Sequence, residues 1–244
     1  MQVADTLSGA ITAGQHEPGS LLPSETRLMA RFGISRPTAR AAVGELRARG
    51  LVESRHGRGT FVRSTGLPAT VVGRSITQQG QRYGQDWEGV EAEYPAVTRG
   101  HATGVEAELL ARDEEAVFVA ERLLTDRATR VRASHSTLIP FDTAEEVPAL
   151  AKSPDMAPTA IYDALAAAGH KLTWTERVTA RSPRPDERAA LGMSDSSPIL
   201  ITYRVTATAT GRPLILEKLS ISADQAQLSY RISPTKVTKR RGPV

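Results

Sequence analysis

Three short segments constrain this chain more than anything else in it: Leu22-Pro23-Ser24-Glu25, then Gly33-Ile34-Ser35-Arg36-Pro37-Thr38-Ala39-Arg40, then Arg55-His56-Gly57-Arg58-Gly59-Thr60-Phe61-Val62. Ser24 and Ser35 each stand where a side-chain oxygen takes an orphan backbone N–H at a helix start, and Gly33 stands where a helix ends in the left-handed conformation. The spacing predicts two short helices joined by a tight turn. On the second, Ala39, Ala42, Val43 and Leu46 form an apolar stripe, while Arg36, Arg40 and Arg47 fall within roughly 40° along its rim. Gly57 and Gly59 then permit a tight hairpin that offers Arg55, His56 and Arg58 as donors. Taken singly, each piece is no more than a solvated helical hairpin or a basic turn. In this order they predict a winged helix-turn-helix DNA-binding domain over residues 1–64, with Arg36 and Arg40 at base edges in the major groove. A helix over 2–13, with Val3, Leu7, Ala10 and Ile11 on one side, would pack beneath it.

The charge distribution agrees. Residues 1–64 hold nine arginines, no lysine and five acidic residues, so the formal charge of +4 resides there and the rest of the 244-residue chain is neutral. Lys236, Lys239, Arg240 and Arg241 form a second basic cluster in a tail over 236–244. A basic head on an acidic body suits nucleic acid bound at one end only. The chain has no cysteine, which excludes disulfides, thiolate metal sites and thiol nucleophiles. No apolar run is long enough for a membrane span, and no leader-like segment opens the chain, so a cytoplasmic protein with no membrane contact is expected.

Residues 65–82 read as a linker and mobile segment, and the polar stretch Gln78 to Gly89 continues that character. From 83 to 235 short helices alternate with strands. Helices are predicted over 105–111, 159–168 and 186–191, and strands over 117–124, 131–139, 172–178, 199–206 and 214–221. Paired strands joined by short polar turns predict a mostly antiparallel sheet with helices against it, an α+β body.

Within that body residues 106–142 align without a gap on residues 188–224, an offset of 82. Arg122 then matches Arg204, Arg130 matches Arg212, and His135 matches Glu217. The shared order of helix, strand, turn and strand predicts two related halves facing each other in one sheet. Arg122, Arg204, His135 and Glu217 would border a pocket between them, with a ligand as partner for polar groups on apolar strand faces. An arginine held for a ligand would have few structural partners. The alternative is that these four residues satisfy one another or face water, as most charged side chains do.

The head is similar to that of the GntR family of bacterial transcription regulators, through its Leu-Pro-Ser-Glu, its Ser-Arg-x-Thr-x-Arg and its Gly-Arg-Gly-Thr-Phe-Val wing. That resemblance implies that Ser35, Arg36, Thr38, Arg40 and the wing residues His56, Gly57, Arg58, Gly59 and Thr60 meet operator DNA. The body resembles the UTRA effector domain of the HutC-type branch, whose fold is like that of chorismate lyase and which binds small, often anionic metabolites. The resemblance rests on Arg122, the stretch Ser136 to Asp142, Ile161-Tyr162-Asp163-Ala164-Leu165, Arg204 and Gly211-Arg212-Pro213. It carries an effector-binding role to Arg122, and with it to His135, Tyr162 and Glu217. Leu124 and Ala160 stand where sugar-phosphate-sensing members have an arginine and a serine, which argues against a phosphosugar effector.

These readings converge on a homodimeric, ligand-responsive repressor of an inverted-repeat operator. Two heads on rigidly spaced half-sites multiply the few base contacts each can make, and the two-fold axis matches the palindrome. The second reading is an effector-free DNA-binding regulator of a plasmid or mobile element. An enzyme is disfavoured: the five histidines show no metal-ligand spacing, and Gly57-Arg58-Gly59 is too short and too basic for a phosphate loop. No cofactor or metal is expected.

Overall fold

The structure, a computed structural model, describes residues 2–55, 57–63, 70–87, 89–91, 94–112, 116–193 and 197–232. His56 and the basic tail lie outside the described residues, as does the side chain of Arg55.

The head contains α1 (Gln2–Thr12), α2 (Glu25–Phe32), α3 (Arg36–Ala48), β1 (Val52–Arg55) and β2 (Gly59–Val62). Ser24 Oγ accepts the Arg27 N–H at the start of α2, and Ser35 Oγ accepts the Thr38 N–H at the start of α3. Gly33 closes α2 at φ 64°, a conformation that suits glycine. Pro37 falls in the first turn of α3, where its missing N–H costs no helical bond. Leu7, Ile11, Leu28, Ala39, Val43, Leu46, Val52 and Val62 make one buried core. Each fully buried leucine there contributes about 1.5–3 kcal/mol. The strands pair from Val52↔Val62 to Arg55↔Gly59, and the wing is tied to the preceding loop by the Leu22 N–H bond to the Thr60 carbonyl.

The body begins earlier than its sequence suggested. Residues 70–85, read as linker and mobile stretch, form β3 (Thr70–Gly73), β4 (Ile76–Gln79) and β5 (Arg82–Gln85). Each has only four residues, too few for a periodic signal, and β4 and β5 are largely polar. β3 runs parallel to β13 (Ala226–Ser229) from the far end of the chain, and β4 and β5 make a hairpin around Gly80. The next elements are β6 (Val90–Glu91), β7 (Ala96–His101), α4 (Val105–Leu110), β8 (Ala116–Thr125), β9 (Arg132–Pro140), α5 (Phe141–Glu146), α6 (Pro148–Lys152) and α7 (Pro158–Ala167). They are followed by β10 (Leu172–Arg181), α8 (Pro185–Leu191), β11 (Ile199–Thr208) and β12 (Pro213–Ser222).

One antiparallel sheet organises the body in the order β10-β11-β12-β9-β8, with β6 and β7 both along the outer edge of β8. Its registers carry the internal repeat. Val117 pairs with Pro140 in the β8–β9 hairpin, and Ile199, 82 residues on, pairs with Ser222 in the β11–β12 hairpin. The two hairpins meet between β9 and β12, where Ser136 faces Lys218. A local two-fold axis passes through that pair and interchanges Arg122 with Arg204 and His135 with Glu217. α4 packs against β12 and α8 against β9 on one face, while α7 and the β4–β5 hairpin lie over the other.

Head and body touch through an ion pair of 2.6 Å between Arg63, just past β2, and Asp224, between β12 and β13. Ser197 also donates its hydroxyl to Asp224.

The wing gives a direct test of this local reasoning. Gly59 sits at φ 112°, and a Cβ there would come within 2.8 Å of Leu21 Cδ1. Gly59→Ala is expected to cost the head about 1–3 kcal/mol through backbone strain, read as a lower urea midpoint. An unchanged midpoint would contradict the turn geometry.

Candidate functional sites

The DNA-facing candidates form two exposed patches on one head. Arg36 and Arg40 project from the first turns of α3, and Arg58 is exposed at the wing tip beside Gly57 at φ 67°. Arg40 is loosely held by Glu25 at 3.3 Å with both side chains open to solvent, a contact too screened to fix it. Ser35 and Thr38 bond each other through their hydroxyls at 2.9 Å, so both are committed to the helix start as well as lying near it. Arg47 turns away from this patch, for its guanidinium donates to Ser54 on β1 and braces the wing. Thr60 is half-buried and shares a 3.4 Å hydroxyl contact with the same Ser54.

The second candidate site is the sheet face beneath α7. Cross-strand partners share a face, so the registers lay out rows directly. One row runs Glu176, Arg204, Glu217, Thr137 and Ala120 from β10 to β8, and the next runs Val178, Thr202, Leu219, His135 and Arg122. Trp174 and Thr206 lie opposite one another in the row on the other side. Arg122, His135, Arg204 and Glu217 are each at most 4% exposed, so their polar groups must be matched inside the protein.

Much of the matching is internal. His135 Nε2 lies 3.3 Å from Glu217 Oε1 across the local axis, and Tyr162 of α7 donates its hydroxyl to Glu217 Oε2. Arg204 bonds Glu176 through Nε at 2.6 Å and also donates to the carbonyl of Arg74. Arg74, just past β3, meets the other oxygen of Glu176 at 2.8 Å. Arg122 donates to Glu91 on β6 at 3.1 Å and to the carbonyls of Asp155 and Met156 at 2.6 and 2.5 Å. The expectation that a ligand arginine would lack structural partners is therefore wrong for both. The two guanidiniums share a face but turn outward from the axis, each towards its own carboxylate, instead of converging on one ligand position. Only a long-range strand and a two-residue edge strand supply those carboxylates, which no pairwise pattern in the sequence could reveal.

The face is not fully matched, however. Arg122 Nη1, Arg204 Nη1, His135 Nδ1, Thr137 Oγ1, Trp174 Nε1 and Thr206 Oγ1 are buried polar atoms without a hydrogen-bond partner in the structure, and all belong to these three rows. Sequence reasoning named Arg122, His135, Tyr162, Arg204 and Glu217; it missed Arg74, Glu176, Trp174 and the threonines. The opposite face holds a polar pocket of about 280 Å³ beside α8, lined by Ser134, Ser136, Lys218 and Ser220, and none of its lining residues is among the buried unpartnered groups. No cluster of metal-ligating side chains exists among the described residues.

Burial sets the protonation states. Desolvation holds the His135 imidazole below its ordinary pKa, only partly opposed by Glu217, so it is neutral at pH 7. Its Nε2–H then donates to Glu217, and Nδ1 is left as an acceptor. Desolvation pushes the Glu217 carboxyl up, but the bond from His135, the Arg204 charge and the Tyr162 bond outweigh it, and the net direction is down. Burial and the Glu217 charge hold the Tyr162 phenol well above its usual value. For His135 the unfolded chain binds a proton that the folded state refuses, so its stability contribution is present above about pH 6.5 and is lost as pH falls through that value. The melting temperature is expected to fall between pH 7.5 and pH 5.5, and His135→Gln should flatten that slope. An unchanged slope in His135→Gln would show that this imidazole is not buried neutral.

With this geometry in place, residues 1–62 match the bacterial regulatory proteins of the gntR family and residues 98–227 match the UTRA domain. The HTH-type transcriptional regulator Rv0792c of Mycobacterium tuberculosis is 30% identical over 240 residues, 96% of this chain and 86% of that protein. The mannosyl-D-glycerate transport/metabolism system repressor MngR of Escherichia coli is 40% identical over 62 residues, 25% of this chain and 26% of that protein. A GntR-family regulator of known crystal structure superposes with a TM-score of 0.66 at 25% identity, covering 96% of this chain and 97% of that one. The winged head, the α+β sheet body and these relatives together make this chain a member of the GntR family of DNA-binding transcriptional regulators, with a UTRA effector-binding domain and no enzymatic role.

Proposed function

We propose that the chain is a homodimeric, cytoplasmic repressor that binds an inverted-repeat operator through paired winged heads and is released when a small molecule binds the buried polar face of its sheet. The observation that carries the reading is the set of six buried polar atoms without partners, gathered on three adjacent rows of one face in the effector-binding domain. Groups of that kind destabilise a fold by about 1–3 kcal/mol each unless something meets them. The repressor assignment draws on the likeness of the head to that of MngR. No helix among the described residues is long and apolar enough to cross a membrane, in keeping with a regulator that works on DNA.

Ser35, Arg36, Thr38, Arg40, His56, Gly57, Arg58, Gly59 and Thr60 are the DNA-contacting set in this reading. Arg122, His135, Tyr162, Arg204 and Glu217 belong to the effector site. The ligand must bind the operator-competent and incompetent arrangements unequally, since only a difference in affinity shifts a population. A second reading, an effector-free regulator of a plasmid or mobile element, is favoured by one observation: Arg122 and Arg204 each already have a carboxylate. In that case the body would serve dimerisation alone.

Operator titrations followed by fluorescence anisotropy test the DNA assignment. Arg36→Ala and Arg40→Ala are each expected to weaken specific binding by about 1–3 kcal/mol and to relax base preference. Arg58→Ala should weaken specific and random DNA alike and lower the salt slope by about one unit. Wild-type behaviour in all three would remove α3 and the wing from the interface. For the effector site, Arg122→Ala should cost about 1–3 kcal/mol of stability, because the carbonyls of Asp155 and Met156 lose their donor. The folded variant should still bind operator, and metabolites that release the wild type should no longer release it. Release at unchanged metabolite concentration would favour the effector-free reading.

A further inference from the structure

Three of the residues that carry unpartnered atoms are neighbours at one corner of the face. Trp174 on β10 and Thr206 on β11 are register partners, and Arg204 stands two residues before Thr206 on the same side of the strand. Arg204 Nη1 and Trp174 Nε1 can only donate, and the Thr206 hydroxyl is free to donate with them. The carboxylates around them are already engaged. Glu176 receives Arg74 and Tyr230 on one oxygen and Arg204 on the other, while Glu217 receives His135 and Tyr162. A water oxygen accepts at most two hydrogen bonds, fewer than the three donors offer. What the corner lacks is a group that accepts several hydrogen bonds and donates none.

Charge narrows the choice further. Arg74, Arg122 and Arg204 are buried cations against the carboxylates Glu176, Glu217 and Glu91; Glu91, paired directly with Arg122 at 3.1 Å, is 44% exposed and so the most screened of the three, which leaves the buried part of the face leaning positive. Such a face tolerates one added negative charge better than two. A phosphate monoester, at about −1.5 to −2 near pH 7, would add more repulsion against the charge already on Glu217 and Glu176. Beside the corner stand the rings of Tyr83, Tyr162 and Trp174, in mutual edge contact with centroids 5.4 to 6.0 Å apart. They offer apolar surface to whatever carries the anion.

We propose that Arg204, Trp174 and Thr206 form a carboxylate subsite, and that the effector is a small monocarboxylate with an apolar body. The proposal rests on the reading of this face as the effector site. It separates the two matched arginines by role: Arg204 holds the ligand's carboxylate, and Arg122 secures the start of α7 and the edge strand β6.

Benzoate is the probe, and the full-length protein carrying Trp87→Phe is the reporter, because Trp174 is then its only tryptophan. Benzoate should change the Trp174 fluorescence saturably and raise the melting temperature, with phenyl phosphate about tenfold weaker or more. Thr206→Val removes one bond to the carboxylate at almost constant volume; it should weaken benzoate about tenfold or more while leaving the unliganded melting temperature unchanged or higher. No saturable signal at tens of millimolar benzoate, equal affinity for phenyl phosphate, or unaltered benzoate binding by Thr206→Val would each overturn the subsite. An operator arm separates this result from the effector reading. Binding that leaves operator affinity unchanged would keep the subsite and discard the effector role. Release by another metabolite, indifferent to Thr206→Val, would keep the effector role and discard the subsite.

Discussion

The body is organised around the need to pair charge inside a sheet. Glu217 is buried at the middle of β12 and is stabilised as an anion by His135 and Tyr162, with the Arg204 guanidinium close by. Removing one partner from such a cluster leaves a buried charge without compensation, a loss of about 3–5 kcal/mol. The pairing therefore dictates which elements must come together. It holds α7 on the sheet through Tyr162, fixes β10 beside β11 through Glu176, and draws the segment after β3 inward through Arg74. Apolar packing above and below, by Ile161, Leu165 and Ile215 on one side and Leu110, Leu138 and Leu216 on the other, supplies the bulk of the stability. The polar rows decide the register, since a slip of one residue would carry the charges to the opposite face.

The same pairing gives a route from the sheet face to the head. β12 carries Glu217 and ends at Ser222, and two residues later Asp224 grips Arg63 at the end of the wing. On the other side of the connector, Arg74 reaches Glu176 and receives Arg204 on its carbonyl. In the proposed reading, a ligand that changes how Arg204 and Glu217 are satisfied would act on two segments that border the head. In the proposed switch, that arrangement is the physical connection between the two sites.

The sequence made some of this plain and hid the rest. The head was legible because its signals are local: Ser24, Ser35 and Gly33 cap helices by contacts within four residues, and the stripe Ala39, Ala42, Val43 and Leu46 is buried as its spacing predicts. The strands of the main sheet were legible from their alternation, and the offset of 82 residues carried the two-fold arrangement because both hairpins keep one register. β3, β4 and β5 were not, since four residues are too few for alternation to stand out and β4 and β5 are largely polar. The partners of the buried arginines were equally hidden. Glu91, Glu176 and Arg74 lie 31, 28 and 130 positions from the groups they meet, and nothing in their local sequence marks them. Trp174 and Thr206 gave no signal because an unpartnered atom is a property of packing.

The central claim is that the buried polar face and the DNA-binding head are two sites of one switch. Linkage makes this measurable: if a carboxylate weakens operator binding by a given factor, operator must weaken carboxylate binding by the same factor. The measurement is the benzoate dissociation constant of the Trp87→Phe protein, free and saturated with operator. The account predicts a weaker constant on the operator complex, by the factor with which benzoate lowers operator affinity. Equal constants in the two states would contradict it, for they would show a face that binds anions without any bearing on DNA.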